Sequence, residues 1–195
     1  MPIKIKFIDQ EFQIRACDSV IKLFEGFSSN ISGIQQFDDE IMPNVARHYE
    51  FNENWLLENL VNVQRTNGIT EQISLDTEDG MELEGVSNDS WRYPVFTTEM
   101  ETGTGKTYVY LRTMRELNKH YGFKKFIVIV PSIAIYEGVI KTYQITLDHF
   151  KAKFGNDAVN LIEYDGSKIA QVKDFATSNF ITIMVMTIDS FNSLK

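Results

Sequence analysis

The chain is short of several things at once, and each shortage removes a class of protein. Among 195 residues there is one cysteine, Cys17, so an internal disulfide and a cysteine-rich zinc site are both excluded. No stretch approaches the roughly 18–20 consecutive apolar residues of a membrane helix. The opening MPIKIKFIDQEF has neither a long apolar run nor a small-residue cleavage site, which argues against a secretory signal. These absences point to the cytoplasm. Positive charge is also scarce: 19 Lys and Arg stand against 27 Asp and Glu, for a net charge of −8. Phosphate contacts come mainly from Lys and Arg, so composition alone argues against a nucleic-acid binder. The three histidines, His48, His120 and His149, are scattered without metal-ligand spacing and suit surface or capping roles. What remains is ordinary globular composition, 43% hydrophobic and 24% charged, enough for one core.

Two textures divide the chain. In the first, Glu11–Phe27 carries Ile14, Cys17, Val20, Ile21 and Phe24 at helical spacing, with Cys17 as a small core residue. Asn54–Arg65 is a second helix, with Gly68 as its stop. The segment 71–90 holds Asp76, Glu78, Asp79, Glu82 and Glu84 without a basic residue and reads as a solvated acidic loop or hairpin. From Tyr93 onward, apolar strands alternate with helices. The strands are Tyr93–Thr98, Lys125–Val130, Asn160–Tyr164 and Phe180–Met186. The helices are Thr107–Tyr121, with Tyr110, Met114, Leu117 and Tyr121 on one face, one capped by Ser132 and running to about Phe154, and Ser167–Thr177. Strands apolar on both faces and alternating with helices imply an α/β fold, a parallel sheet with helices on both faces.

The chemistry is concentrated at Met100-Glu101-Thr102-Gly103-Thr104-Gly105-Lys106-Thr107, between a predicted strand and a predicted helix. That context is what a phosphate-binding P-loop needs. Gly103 and Gly105 permit torsions and close approach that a Cβ would block, so neighbouring amides, including those around Thr102 and Thr104, can turn toward a β-phosphate. Lys106 supplies a point charge between β- and γ-phosphates, and the Thr107 hydroxyl is a ligand for Mg²⁺. The pattern G-x-x-x-x-G-K-[ST] fails at one position, where Met100 replaces the first Gly. The TGTGKT core is otherwise intact, and the expected ligands are a nucleoside triphosphate and Mg²⁺.

The form TGxGKT without the first Gly resembles superfamily 2 helicases and translocases. The longer run FTTEMETGTGKTYVYLRTMRELNKHYGFKKFIVIVPSIAIYEGVIKT resembles, more narrowly, the restriction (Res) subunit of type III restriction–modification enzymes. Within it, residues 128–139 fit helicase motif Ia, and MTIDSFN at 186–192 resembles the next family element, with Thr187 and Asp189 near a nucleic-acid path. Phe12-Gln13-Ile14-Arg15-Ala16 resembles the Q motif, in which Gln13 would select adenine; a Gln amide offers the matching donor and acceptor. The resemblance further implies a RecA-like first motor domain of a DNA-dependent ATPase, incomplete over 1–195, with 28–92 as a family-specific insertion. Pro131 and Ser132 would meet a DNA phosphate at the sheet's C-terminal edge through backbone N–H groups, which need no basic side chains. The implied partners are double-stranded DNA and a modification methyltransferase (Mod) subunit, with no membrane.

Other expected parts of such an enzyme are not found in these 195 residues. There is no apolar strand ending in the Walker B acidic pattern, no second motor domain with an arginine finger, and no nuclease arrangement. The reading is therefore of an ATP-binding segment that hydrolyses little by itself, within an endonuclease whose cleavage site lies elsewhere. Three alternatives stay open: another superfamily 2 DNA or RNA helicase, a non-motor P-loop binding protein or small-molecule kinase, and a folded scaffold with an empty loop.

Overall fold

A computed structural model describes residues 7–27, 44, 53–70, 76–79, 92–155 and 158–193. His48 and the Asp38-Asp39-Glu40 run lie outside the described residues, as does much of the segment 28–92. In chain order the elements are α1 (Glu11–Lys22), α2 (Glu53–Thr66), β1 (Asp76–Asp79), β2 (Arg92–Val95), α3 (Lys106–Tyr121), β3 (Lys125–Val130), α4 (Ile133–Phe154), β4 (Val159–Glu163), α5 (Ile169–Thr177), β5 (Ile181–Thr187) and α6 (Ile188–Asn192).

The parallel sheet has the order β3-β5-β4, with Lys125 opposite Thr182 at one end and Val130 opposite Thr187 at the other. The central strand β5 is buried along its whole apolar run from Ile181 to Met186, as a strand covered on both faces must be. One face, carrying Val130, Ile183 and Val185, packs against Tyr108, Val109 and Leu111 of α3 and Val139, Ile140, Tyr143 and Phe150 of α4. The opposite face, carrying Ile162, Met184, Met186 and, just past β4, Tyr164, is covered by Val172 and Phe175 of α5 and Phe191 of α6. That cover is incomplete over β3, where Ile127 and Ile129 are exposed.

Two differences from the sequence reading have physical causes. The run Tyr93–Thr98 does not form a fourth parallel strand. Its ladder is confined to Arg92–Val95, and it pairs antiparallel with the acidic strand β1, Thr77 lying opposite Pro94. Proline cannot donate to a ladder and suits a two-stranded ribbon better than a sheet interior. The acidic segment thus supplies one strand of a ribbon, which agrees with a hairpin more than with a loop. The second difference concerns α3, which is buried on more than one stripe: Tyr108, Val109, Leu111, Arg112, Thr113, Arg115, Leu117 and Tyr121 are all covered. The sheet and α4 cover one side and α1 packs along another, with Cys17 buried in α1. Burial pushes the Cys17 thiol above its ordinary range.

Helix ends follow local rules. Ser132 caps α4, its hydroxyl accepting from the Ile135 amide at 3.4 Å, and Gly122 closes α3 in a left-handed conformation. The start of β3 is covered by a side chain: Asn44 Oδ1 accepts from the Lys124 and Lys125 amides at 2.8 and 2.5 Å, and its Nδ2 donates to the Lys125 carbonyl at 2.7 Å. One amide side chain there does the work of a neighbouring strand.

Candidate functional site

The loop preceding α3 is shaped by two glycines with positive φ, Gly103 at 83° and Gly105 at 86°. Gly105 occupies the N-cap position in the left-handed region, and among the described residues no side chain caps the helix. The first turn of α3 therefore keeps amides free of a side-chain acceptor at its positive end, the arrangement that binds anions. Glu101, Thr102, Gly103 and Lys106 are exposed, while Thr104, Gly105 and Thr107 are half-buried. Two side chains fold back onto one carbonyl: Lys106 Nζ donates to Glu101 O at 2.8 Å, and Thr104 Oγ1 donates to the same oxygen at 2.7 Å. Lys106 thus lies across the mouth of the loop. A phosphate would offer it a charged acceptor in place of a neutral one, a stronger hydrogen bond.

Gln13 comes from 91 residues upstream and reaches this loop: its Nε2 donates to Thr104 O at 2.8 Å. The contact is close enough that a Cβ built on Gly105 would lie 2.7 Å from Gln13 Nε2. A primary amide has two N–H donors and one acceptor, so this bond leaves one donor and the carbonyl for a ligand. The residues that share the site are therefore Gln13, Thr104, Gly105 and Lys106, with Thr107 in the first turn of α3.

Pro131 and Ser132 sit at the C-terminal end of β3, both exposed. Val130, directly before them, belongs to the same buried core as Tyr108 and Val109 of α3, and Pro131 follows the C-terminal end of the parallel ladder, where Val130 lies opposite Thr187. Ligands of open α/β sheets bind at that end. Thr187 caps α6 by accepting from the Ser190 amide at 3.2 Å, and Asp189 lies in the first turn of that helix.

The sequence reading missed a group of residues beside the site. Asp9 accepts from Arg112 Nη1 at 3.0 Å and from Lys153 Nζ at 2.6 Å. The Tyr108 hydroxyl lies 3.4 Å from Asp9 and 2.9 Å from His149 Nε2, and Phe7 stacks on Tyr108. The hydrogen bond from Lys153 holds the Asp9 carboxyl below its ordinary value, against burial and with help from Arg112. Burial, with Lys153 beside it, holds His149 below its ordinary value. His149 is thus a partner in a half-buried cluster and not a surface group, whereas His120 is half exposed near the end of α3, 3.7 Å from Glu116. No pattern of spacing could have announced the cluster, since Asp9 is separated from Arg112 by 103 residues and from Lys153 by 144. Among the described residues no group of His, Cys, Asp and Glu is arranged to hold a metal ion, and no helix is long and apolar enough to cross a membrane.

The comparison that decides the family covers nearly the whole chain. A family model described as the type III restriction enzyme, res subunit, matches residues 10–195. The chain belongs to this family. Res subunits are also its curated relatives. That of the EcoP15I enzyme of Escherichia coli is 30% identical over 142 residues, 72% of this chain and 12% of the relative. That of the EcoPI enzyme of Escherichia phage P1 is 33% identical over 141 residues, again 72% and 12%. That of the StyLTI enzyme of Salmonella typhimurium is 46% identical over 65 residues, 32% of this chain and 7% of the relative. This Res-family chain therefore matches about an eighth of the length of the first two. The family match begins at residue 10, so it takes in Gln13 as well as the glycine loop.

Proposed function

We propose that this chain binds Mg·ATP at Met100–Thr107 and forms the ATP-binding front of a RecA-like motor domain in a DNA-translocating type III restriction endonuclease. The observation that carries the reading is the junction of three parts at one point: a loop opened by two left-handed glycines, an α3 N-terminus without a side-chain cap, and a Gln13 amide on the loop backbone. Residues of the right kind are present for each part of the ligand. The amides of Gly103, Thr104, Gly105 and Lys106 would cradle the β-phosphate, with Thr102 at the rim. Lys106 would leave the Glu101 carbonyl for the β- and γ-phosphates, Thr107 would hold Mg²⁺ through its hydroxyl, and Gln13 would read adenine. The bound metal ion would neutralise charge developing on the phosphate oxygens.

The same proposal extends to the whole enzyme, in which ATP hydrolysis would drive movement or a change of state on double-stranded DNA. Pro131 and Ser132 would meet a DNA phosphate through the α4 N-terminus, a contact that tolerates an acidic chain. A Mod subunit would be the partner that reads the target sequence, and the cytoplasm the compartment. Segment 28–92 would be an insertion particular to the family.

Titration calorimetry with Mg·ATP and Mg·GTP on wild type, Lys106→Ala and Gln13→Ala tests the core of this. The expected result is ATP binding that Lys106→Ala abolishes and a preference for ATP over GTP that Gln13→Ala erases. A well-folded wild type that binds neither nucleotide would overturn the reading.

A further inference from the structure

Gln13 can select a base only if its amide is held in place. It sits in the first turn of α1, and helix ends fray unless something outside the helix ties them down. The Gln10 N-cap makes no side-chain capping hydrogen bond. The far end of α1 is tied by the Tyr121 hydroxyl, which donates to Ile21 O at 3.0 Å. At the near end the tie is Asp9, four residues before Gln13, which bonds simultaneously to α3 through Arg112 and to α4 through Lys153. Arg112 is 7% exposed and its other carboxylate neighbour, Glu116, is 3.8 Å away, beyond hydrogen-bond distance. Among the described residues Asp9 is therefore the close anionic partner of a buried cation; its own side chain is 38% exposed, and the bond gains from being charge-assisted. The ring stack of Phe7 on Tyr108, with centroids 6.0 Å apart and planes 9° apart, holds the segment from its other side. Since α3 is also the helix that opens from the phosphate loop, Asp9 ties the carrier of Gln13 to the carrier of Lys106.

We propose that Asp9 is a positioning residue for nucleobase selection, holding Gln13 against the phosphate loop by pinning the start of α1 to Arg112 and Lys153. The proposal rests on the reading of Gln13 as the base reader. Asp9 itself touches no nucleotide; it acts by keeping the Gln13 amide within the few tenths of an ångström that two hydrogen bonds to one base edge require. Lys153, at the outer side of the cluster, contributes one of the two ties, so its loss relaxes Gln13 less than loss of the carboxylate does.

The test is titration of Mg·ATP and Mg·GTP into wild type, Asp9→Asn, Asp9→Glu, Lys153→Met, Gln13→Ala and the Asp9→Asn/Gln13→Ala double variant, with near-ultraviolet circular dichroism as the check on folding. Asp9→Asn is expected to weaken ATP about tenfold, the loss of one to two hydrogen bonds to the base, and GTP less than about twofold. Asp9→Glu restores part of the ATP preference, and Lys153→Met loses only part of it. In the Gln13→Ala background, Asp9→Asn changes the ATP-to-GTP ratio no further. Equal weakening of both nucleotides by Asp9→Asn, or a preference that survives Asp9→Asn in a folded protein, overturns the proposal. A wild type without ATP preference, or a preference that survives Gln13→Ala, overturns the reading of Gln13 and this proposal with it, and that arm involves no change at Asp9.

Discussion

Alanine at Gly105 and at Gly103 separates backbone strain from the contact with Gln13. Both glycines have φ near 85°, where an L residue pays about 1–2 kcal/mol. At Gly103 the added Cβ meets none of the described residues within 4 Å, so strain is taken as the cost. At Gly105 the Cβ would lie 2.7 Å from Gln13 Nε2, and the amide must move. Its hydrogen bond to Thr104 O goes with it, a further loss of about 1 kcal/mol. Gly105→Ala should therefore cost about 2–3 kcal/mol against about 1–2 for Gly103→Ala, both without ligand. The difference corresponds to a gap of about 2–4 °C in thermal midpoint for a chain of this size. Urea and thermal unfolding of the two variants, each with and without Gln13→Ala, provide the assay. With Gln13 truncated, Gly105→Ala should fall back to the cost of Gly103→Ala, a coupling of about 1 kcal/mol. Equal losses in the two single variants, or no coupling to Gln13, would refute the placement of the Gln13 side chain on the loop.

Acid should loosen the cluster around Asp9 in two stages. His149 takes up its proton less readily folded than unfolded, so stability falls as pH drops below its ordinary value of 6.5. Asp9 is also held below its ordinary value of 3.8, so stability present above that value is lost as pH falls through the lower folded value. Urea midpoints between pH 7.5 and 5.5 should flatten in His149→Gln; an unchanged slope there would remove His149 as the cause. Asn44→Ala strips the acceptor from the Lys124 and Lys125 amides and the donor from the Lys125 carbonyl, and should cost about 1–3 kcal/mol in urea unfolding. The Tyr164 hydroxyl is buried without a hydrogen-bond partner among the described residues, so Tyr164→Phe should be neutral or stabilising by up to about 1 kcal/mol; a clear destabilisation would point to a partner on that oxygen, such as an ordered water.

The sequence by itself determined what is set by neighbours along the chain. TGTGKT between an extended run and a helix fixes the glycine-opened loop before α3, because the two left-handed glycine torsions and the helix start are set within eight residues. Val128-Ile129-Val130-Pro131-Ser132 fixes the end of β3 and the start of α4, since proline stops the one and serine caps the other. Apolar periodicity likewise marked α1 and α2 and the alternation that makes the sheet parallel. Tertiary structure decided what depends on partners far apart in the chain. Whether Tyr93–Val95 joins the main sheet or an antiparallel ribbon turns on which strand it meets, and β1 was legible only as part of an acidic loop or hairpin. Burial of α3 on several sides depends on α1 lying along it, which no stripe on α3 alone reveals. The tie from Gln13 to Thr104 spans 91 residues and that from Asp9 to Lys153 spans 144. A hydrogen bond is short-ranged in space and indifferent to separation along the chain, so only the fold could bring those groups together.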